Sequence, residues 1–158
     1  MKKVNLSDIT WAEQRSPKGQ FHLFRKQISE ALGNPRDAGP SIGGHPFEVE
    51  LARLPPGAVN FPFHSHAAQW EFYLVINGQG ELRSGDSLTN VTAGDAFVCP
   101  PDEPHQLKNT GSEDLLYYVI ANNPMADVVY YPDSKKWVVK PARKCLAGTE
   151  VDYYTNEE

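Results

Sequence analysis

The sequence predicts an all-β jelly-roll barrel folded as one domain, and three observations lead there. From residue 47 onward, short apolar or alternating runs recur at close, regular spacing, separated by Gly, Pro, Asn and Asp turn residues. Three of the five histidines fall within residues 57–109, in two clusters punctuated by Gly and Pro. With 158 residues, 40% of them hydrophobic, the chain is long enough to bury a core of its own.

Residues 1–46 read as an N-terminal extension. Phe24, Ile28, Ala31 and Leu32 fall at helical spacing, with Gly33 and Pro35 as stop signals, so a short helix is one reading. A strand over residues 21–28 is the other. Residues 34–44 are rich in Gly and Pro and predict a surface loop. The lone His22 and His45 read as surface or internally satisfied side chains and stay outside the candidate site.

Residues 47–121 form the predicted barrel core. Phe47, Val49 and Leu51 alternate with Glu48, Glu50 and Ala52, the pattern of a half-buried strand with its apolar side on the first three. Pro55-Pro56-Gly57 turns the chain. Strands are predicted at 71–76, 81–83, 88–92 and 96–99, with turns at Asn77-Gly78 and Ser84-Gly85-Asp86. Residues 106–109 and 115–120, joined through Thr110-Gly111-Ser112, predict a further hairpin.

Residues 122–158 read as a C-terminal extension packing on the barrel. Its stretch 128–139, with Tyr130, Tyr131 and Trp137, is too apolar for a free tail. Edge strands, a cover over the barrel mouth or a crossing to a second subunit all fit that stretch. Residues 152–158 are acidic and predict a frayed end.

Charge and cysteine usage exclude some classes. A net charge of −5, with the basic pairs Lys135-Lys136 and Arg143-Lys144 short and set among apolar residues, argues against a nucleic-acid partner. Cys99 and Cys145 make no disulfide framework, and Cys99, inside the apolar run 96–99, reads as a buried, inert thiol. The N-terminal lysines have no apolar region after them, as a signal peptide would, and no run approaches the roughly 18 apolar residues of a membrane span. A soluble, cytoplasmic protein with no membrane contact is expected.

The two clusters carry the candidate chemistry. In His64-Ser65-His66, strand alternation sends both imidazoles to one face. Glu71 lies an odd number of residues beyond His66, so it needs a reversal, which the small Ala67 and Ala68 allow. Gln69, Glu71, Tyr73 and Val75 then share one face of a new strand. Glu71 can turn back toward His64 and His66, and Gln69, of the same parity, is the alternative ligand. Pro100, Pro101 and Pro104 form a rigid turn ahead of His105, which opens a strand with Leu107 and Asn109. Three imidazoles and one carboxylate suit one divalent transition metal, Fe, Mn, Ni, Cu or Zn, without choosing among them. Trp70 should face away from Gln69 and Glu71, packed against a second sheet or, less in keeping with its place in the barrel, at an interface.

These clusters resemble the paired motifs of the cupin superfamily. His64, His66, Glu71 and Gly78 match the first motif, and Gly94, Pro100, His105 and Asn109 the second. Gly57 lies one residue farther from His64 than usual. Asp102 stands where the second motif has Gly, a position calling for left-handed backbone, which Asp tolerates. The resemblance covers about a third of the chain and is closest to small single-domain bacterial cupins.

The resemblance implies a metal centre on His64, His66, Glu71 and His105 and a small-molecule ligand. It implies two reaction classes: oxidative cleavage by a dioxygenase, or isomerisation of a sugar or keto compound. No catalytic residue follows from it. Tyr73 is a candidate for hydrogen bonding to substrate, its alternative being to fill the barrel. The competing reading is a non-catalytic module that binds a small ligand or stores a metal. A two-fold homodimer exchanging N-terminal strands is implied as well.

Overall fold

The computed structural model describes residues 1–36 and 38–157; Asp37, inside the predicted loop, and Glu158, at the predicted acidic end, lie outside the described residues. At the N-terminus β1 (Ala12–Arg15) and β2 (His22–Gln27) pair as an antiparallel hairpin, followed by α1 (Ile28–Ala31). Both readings of this region therefore survive in part, the strand over most of its length and the helix as a single turn. The predicted surface loop is only partly on the surface. Asn34 and Ala38 are buried, and the Asn34 side chain accepts the His45 backbone N–H at 2.6 Å, which folds the loop onto itself.

The rest of the chain is β-structure: β3 (Phe47–Leu54), β4 (Ser65–His66), β5 (Glu71–Asn77), β6 (Gln79–Ser84), β7 (Ser87–Thr92), β8 (Ala96–Cys99), β9 (His105–Asn109), β10 (Leu115–Asn122), β11 (Asp127–Tyr131), β12 (Lys136–Lys140) and β13 (Lys144–Ala147). Three sheets result, in the orders β1-β2-β3-β10-β5-β8, β7-β6-β9 and β13-β12-β11-β4. This is the all-β jelly-roll architecture. The core lies between the inner face of the six-stranded sheet, with Ala52, Leu54, Val75, Leu115 and Tyr117, and Leu82, Val91 and Leu107 of the three-stranded one. No helix among the described residues is long and apolar enough to cross a membrane.

Three local expectations need correction. β3 is buried on both faces in its second half: Leu51 is buried as expected, but so are Glu50, Ala52 and Leu54 of the other face, whereas Phe47 is 50% exposed. Carboxylates are tolerated on this inner face because Glu48 and Glu50 line a cavity instead of packed side chains, and Arg25 pairs with Glu50 at 3.1 Å. Secondly, the predicted hairpin between 106–109 and 115–120 does not form, since β9 pairs with β6 while β10 pairs with β3 and β5. Asn109, fully buried, instead ties the connection down: its amide donates to Leu54 O and Glu113 O at 2.8 Å each, and its oxygen accepts the Gly111 N–H.

Trp70 is the third correction. It does not pack against a second sheet but is 50% exposed, on the outer side of the six-stranded sheet. Phe72, whose neighbours across the strands are Ile120 and Val98, is exposed too. The crossing from β5 into the three-stranded sheet runs through Gly78 at φ +83°, where a Cβ would come within 2.6 Å of Asp114 O. Asp102 adopts the left-handed backbone expected of it, at φ 65°.

Candidate metal centre

Backbone pairing brings the two sequence clusters together. His64 and His105 form an antiparallel bridge, with His105 N–H donating to His64 O at 2.8 Å and His64 N–H to His105 O at 3.2 Å. The Asp102 N–H donates to His66 O at 2.7 Å, so the proline-rich turn is fastened to β4. The His64 ring centroid lies 4.7 Å from that of His105 and 5.2 Å from that of His66. After the reversal at Ala67 and Ala68, β5 returns Glu71 to the same place.

Each imidazole is held from behind through Nδ1. His64 Nδ1 lies 2.8 Å from Pro62 O, His105 Nδ1 3.1 Å from Glu103 O, and His66 Nδ1 2.6 Å from Asp127 Oδ2. A carbonyl or carboxylate partner requires Nδ1 to carry the proton, which leaves Nε2 as the atom offered to the centre. His64, His66 and Glu71 present ligand atoms that all lie within 4.8 Å of one another. His105 Nε2 sits 2.7 Å from Glu71 Oε2, and His66 Nε2 3.9 Å from Glu71 Oε1. The donor set, nitrogen and oxygen atoms converging with their outer partners in place, fits a divalent transition metal.

The electrostatics show what the residues do without a metal. Burial alone would raise the Glu71 carboxyl, but the hydrogen bond from His105 and the nearby imidazoles hold it well below the usual carboxylate range. His105 is pulled down by burial, yet its contacts with Cys99 and Glu71 outweigh that and push it up to about 10. Burial lowers His64 to about 4, against a partial opposing pull from Glu71. Asp127, which burial would raise, is lowered to about 2 by its bond to His66. In the metal-free protein His105 is thus the protonated partner of an ionised Glu71.

The remaining predicted residues divide between wall and support. His64, His66, Gln69 and Glu71 line a cavity of about 560 Å³, whose other walls include Arg25, Glu50, Val119, Ala121 and Tyr131. The Gln69 amide donates to Asn122 O at 2.8 Å. Tyr73 is buried, stacks on Phe97 and donates its hydroxyl to Glu71 Oε2 at 3.0 Å, so it stands behind the carboxylate. His22 and His45 lie away from this group, His22 beside Glu13.

Asp127, Glu50 and Arg25 were not legible as site residues. Asp127 reaches His66 from β11, 61 residues away, and accepts the Ala68 N–H at 3.0 Å as well. Its only sequence signal is an acid at the head of an apolar strand. Alternation points Glu50 to the polar outer face of β3, whereas it lies on the inner one, lining the cavity.

Residues 50–121 match the family model described as a cupin domain. The chain is 29% identical over 120 residues to the oxalate-binding protein of Thermotoga maritima, an alignment covering 74% of this chain and 90% of that one. It is 30% identical over 120 residues to auxin-binding protein 1 of Arabidopsis thaliana, covering 70% of this chain but 57% of the plant protein, so it spans little more than half of that relative. Among solved structures, a sugar phosphate isomerase of the cupin superfamily from Silicibacter pomeroyi superposes with a TM-score of 0.77 over 96% of this chain and 98% of that one. At 22% identity that likeness concerns the fold.

Proposed function

Because the chain is a small cupin-domain protein, we propose that His64, His66, His105 and Glu71 hold one divalent transition metal (Fe, Mn, Ni, Cu or Zn), and that the adjoining cavity receives a small oxygen-bearing molecule. The observation that carries this is the anchoring of all three imidazoles through Nδ1, with Nε2 left to face Glu71. Gln69, engaged with Asn122 O, belongs to the cavity wall in this reading, and Tyr73 positions Glu71 and does not touch substrate. A bound metal would supply Lewis acidity or, for a redox-active ion, electrons for dioxygen chemistry.

Metal-dependent binding of a small carboxylate is the reading the cavity supports best, and the oxalate-binding relative favours it. Turnover as a dioxygenase or an isomerase uses the same site. Calorimetry with oxalate on metal-loaded protein, beside oxygen uptake on catechols, thiols and 1,3-diketones, separates binding from dioxygenase turnover. Binding without turnover supports the module; uptake abolished by His64→Ala supports the oxygenase.

The same reading includes a homodimer. Its support is the exposed apolar patch of Phe47, Trp70, Phe72, Val98 and Ile120 on the outer sheet face, where a second copy would cover what water now meets. Mass in solution tests it: Trp70→Glu with Phe72→Glu should give monomer, and a variant lacking residues 1–20 that stays dimeric would count against exchange of N-terminal strands. We also keep the division into residues 1–46, 47–121 and 122–158, and a cytoplasmic setting, which the two free thiols favour.

A further inference from the structure

Glu50 is a buried carboxyl that the metal centre does not use. It faces the same cavity as Glu71, and strand register fixes the spacing between them. Glu48, Ala121 and Glu71 are direct neighbours across β3, β10 and β5, as are Glu50, Val119 and Tyr73 one pair further along. Cross-strand neighbours point to one side of a sheet, so Glu48 and Glu50 look inward from β3 as Glu71 does from β5. The two strands stand two spacings apart, roughly 10 Å. Between them the short side chains of Ala121 and Val119 form a low shelf. A molecule of a few heavy atoms fits over that shelf with one end at Glu71 and the other at Glu50.

We propose that Glu50 is the acid that meets the bound molecule there, donating a hydrogen bond to an oxygen of a small anionic chelator such as a dicarboxylate or a 2-hydroxy or 2-oxo acid, so that the ligand enters together with a proton. This rests on the metal-centre reading above. A carboxylate beside an incoming anion repels it; a carboxylic acid in the same place donates to it. The charged and titratable groups facing Glu50 are Arg25 from β2, Glu48 on its own strand, Tyr117 from β10 and Glu71 from β5. Burial, then Glu48 and Glu71, work against ionisation, and Arg25, at 3.1 Å, offsets them only in part. In the metal-free protein the group is raised to about 7; a divalent ion on Glu71 opposes that rise, and an anion bound to the ion restores it.

The test is calorimetric titration of oxalate into manganese-loaded protein at pH 7.5, repeated in buffers of different ionisation enthalpy, which reads protons taken up per ligand bound. Metal content and circular dichroism are checked first. Wild type should take up on the order of one proton per oxalate, and its affinity should fall about tenfold per pH unit above pH 8. Glu50→Gln, which keeps a donor of the same shape, should bind with no proton uptake and with affinity flat over the same range. Glu50→Asp should keep the uptake. Equal uptake in wild type and Glu50→Gln overturns this inference and leaves the metal centre standing. Loaded protein that ignores oxalate overturns it as well, whereas a protein that binds no metal overturns both.

Discussion

Replacing Asp127 by Asn should weaken metal binding about 10- to 100-fold. Asp127 is 3% exposed and accepts from two N–H donors at once, His66 Nδ1–H at 2.6 Å and the Ala68 N–H at 3.0 Å, with the Lys140 ammonium 3.6 Å from Oδ2. A carboxylate satisfies both. An amide has one accepting oxygen and one donating NH₂, so whichever way Asn turns, one hydrogen bond becomes a clash of donors. Orienting the amide oxygen toward His66 leaves its NH₂ against Ala68; the reverse orientation frees the imidazole to rotate or change tautomer. The bond lost is charge-assisted and buried, the kind worth about 1.5–3 kcal/mol, which as binding free energy corresponds to the stated range. The assay is competition of zinc-loaded protein against a chelator of known affinity, for wild type and Asp127→Asn at pH 7.5. Affinities within twofold of each other, with circular dichroism unchanged, would refute the claim that the C-terminal extension holds His66 in place.

Two further outcomes follow from the shifted groups. His105 is raised to about 10 and so is charged at neutral pH, whereas His64, lowered to about 4, is already neutral. Metal binding at pH 7.5 should therefore release about one proton, and affinity should rise with pH up to about 10; calorimetry in paired buffers reads this, and zero release contradicts it. Glu50 has the opposite sign from a stabilised carboxylate. Its folded value of about 7 lies above the usual one, so ionising it costs the fold nothing below pH 4.5, increasingly more up to pH 7, and a constant amount above. Glu50→Gln should thus gain up to about 3 kcal/mol relative to wild type between pH 5 and pH 8, read by denaturant unfolding of metal-free protein; a difference that does not change with pH contradicts the raised value.

The parts of the molecule readable from sequence were those where local chemistry decides the outcome. Turn residues mark Gly78, Gly85 and Gly94, all at positive φ, and the strands between them fall within two residues of expectation. The convergence of His64, His66, Glu71 and His105 was legible because parity, a small-residue reversal and a proline-stiffened turn each constrain a few residues. What was hidden depends on partners distant in the chain. Alternation in β3 reports that one face is polar but not that this face looks into a cavity, so Glu50 was turned outward. Thr110-Gly111-Ser112 has hairpin chemistry, yet β10 gains two strand partners by crossing to the other sheet. Asp127 is visible only once β11 is seen to pair with β4, Val129 beside His66. Trp70 was expected inside because it is large and apolar, a preference that an outer sheet face can override.

The central claim is that this chain holds a metal on three imidazoles and one carboxylate, and elemental analysis tests it most directly. Protein purified without an affinity tag or added metal should carry close to one equivalent of iron, manganese, nickel, copper or zinc, and the His64→Ala/His105→Ala double variant, folded by circular dichroism, should carry none. Equal metal content in the two proteins, or none in wild type even after reconstitution, would contradict the claim.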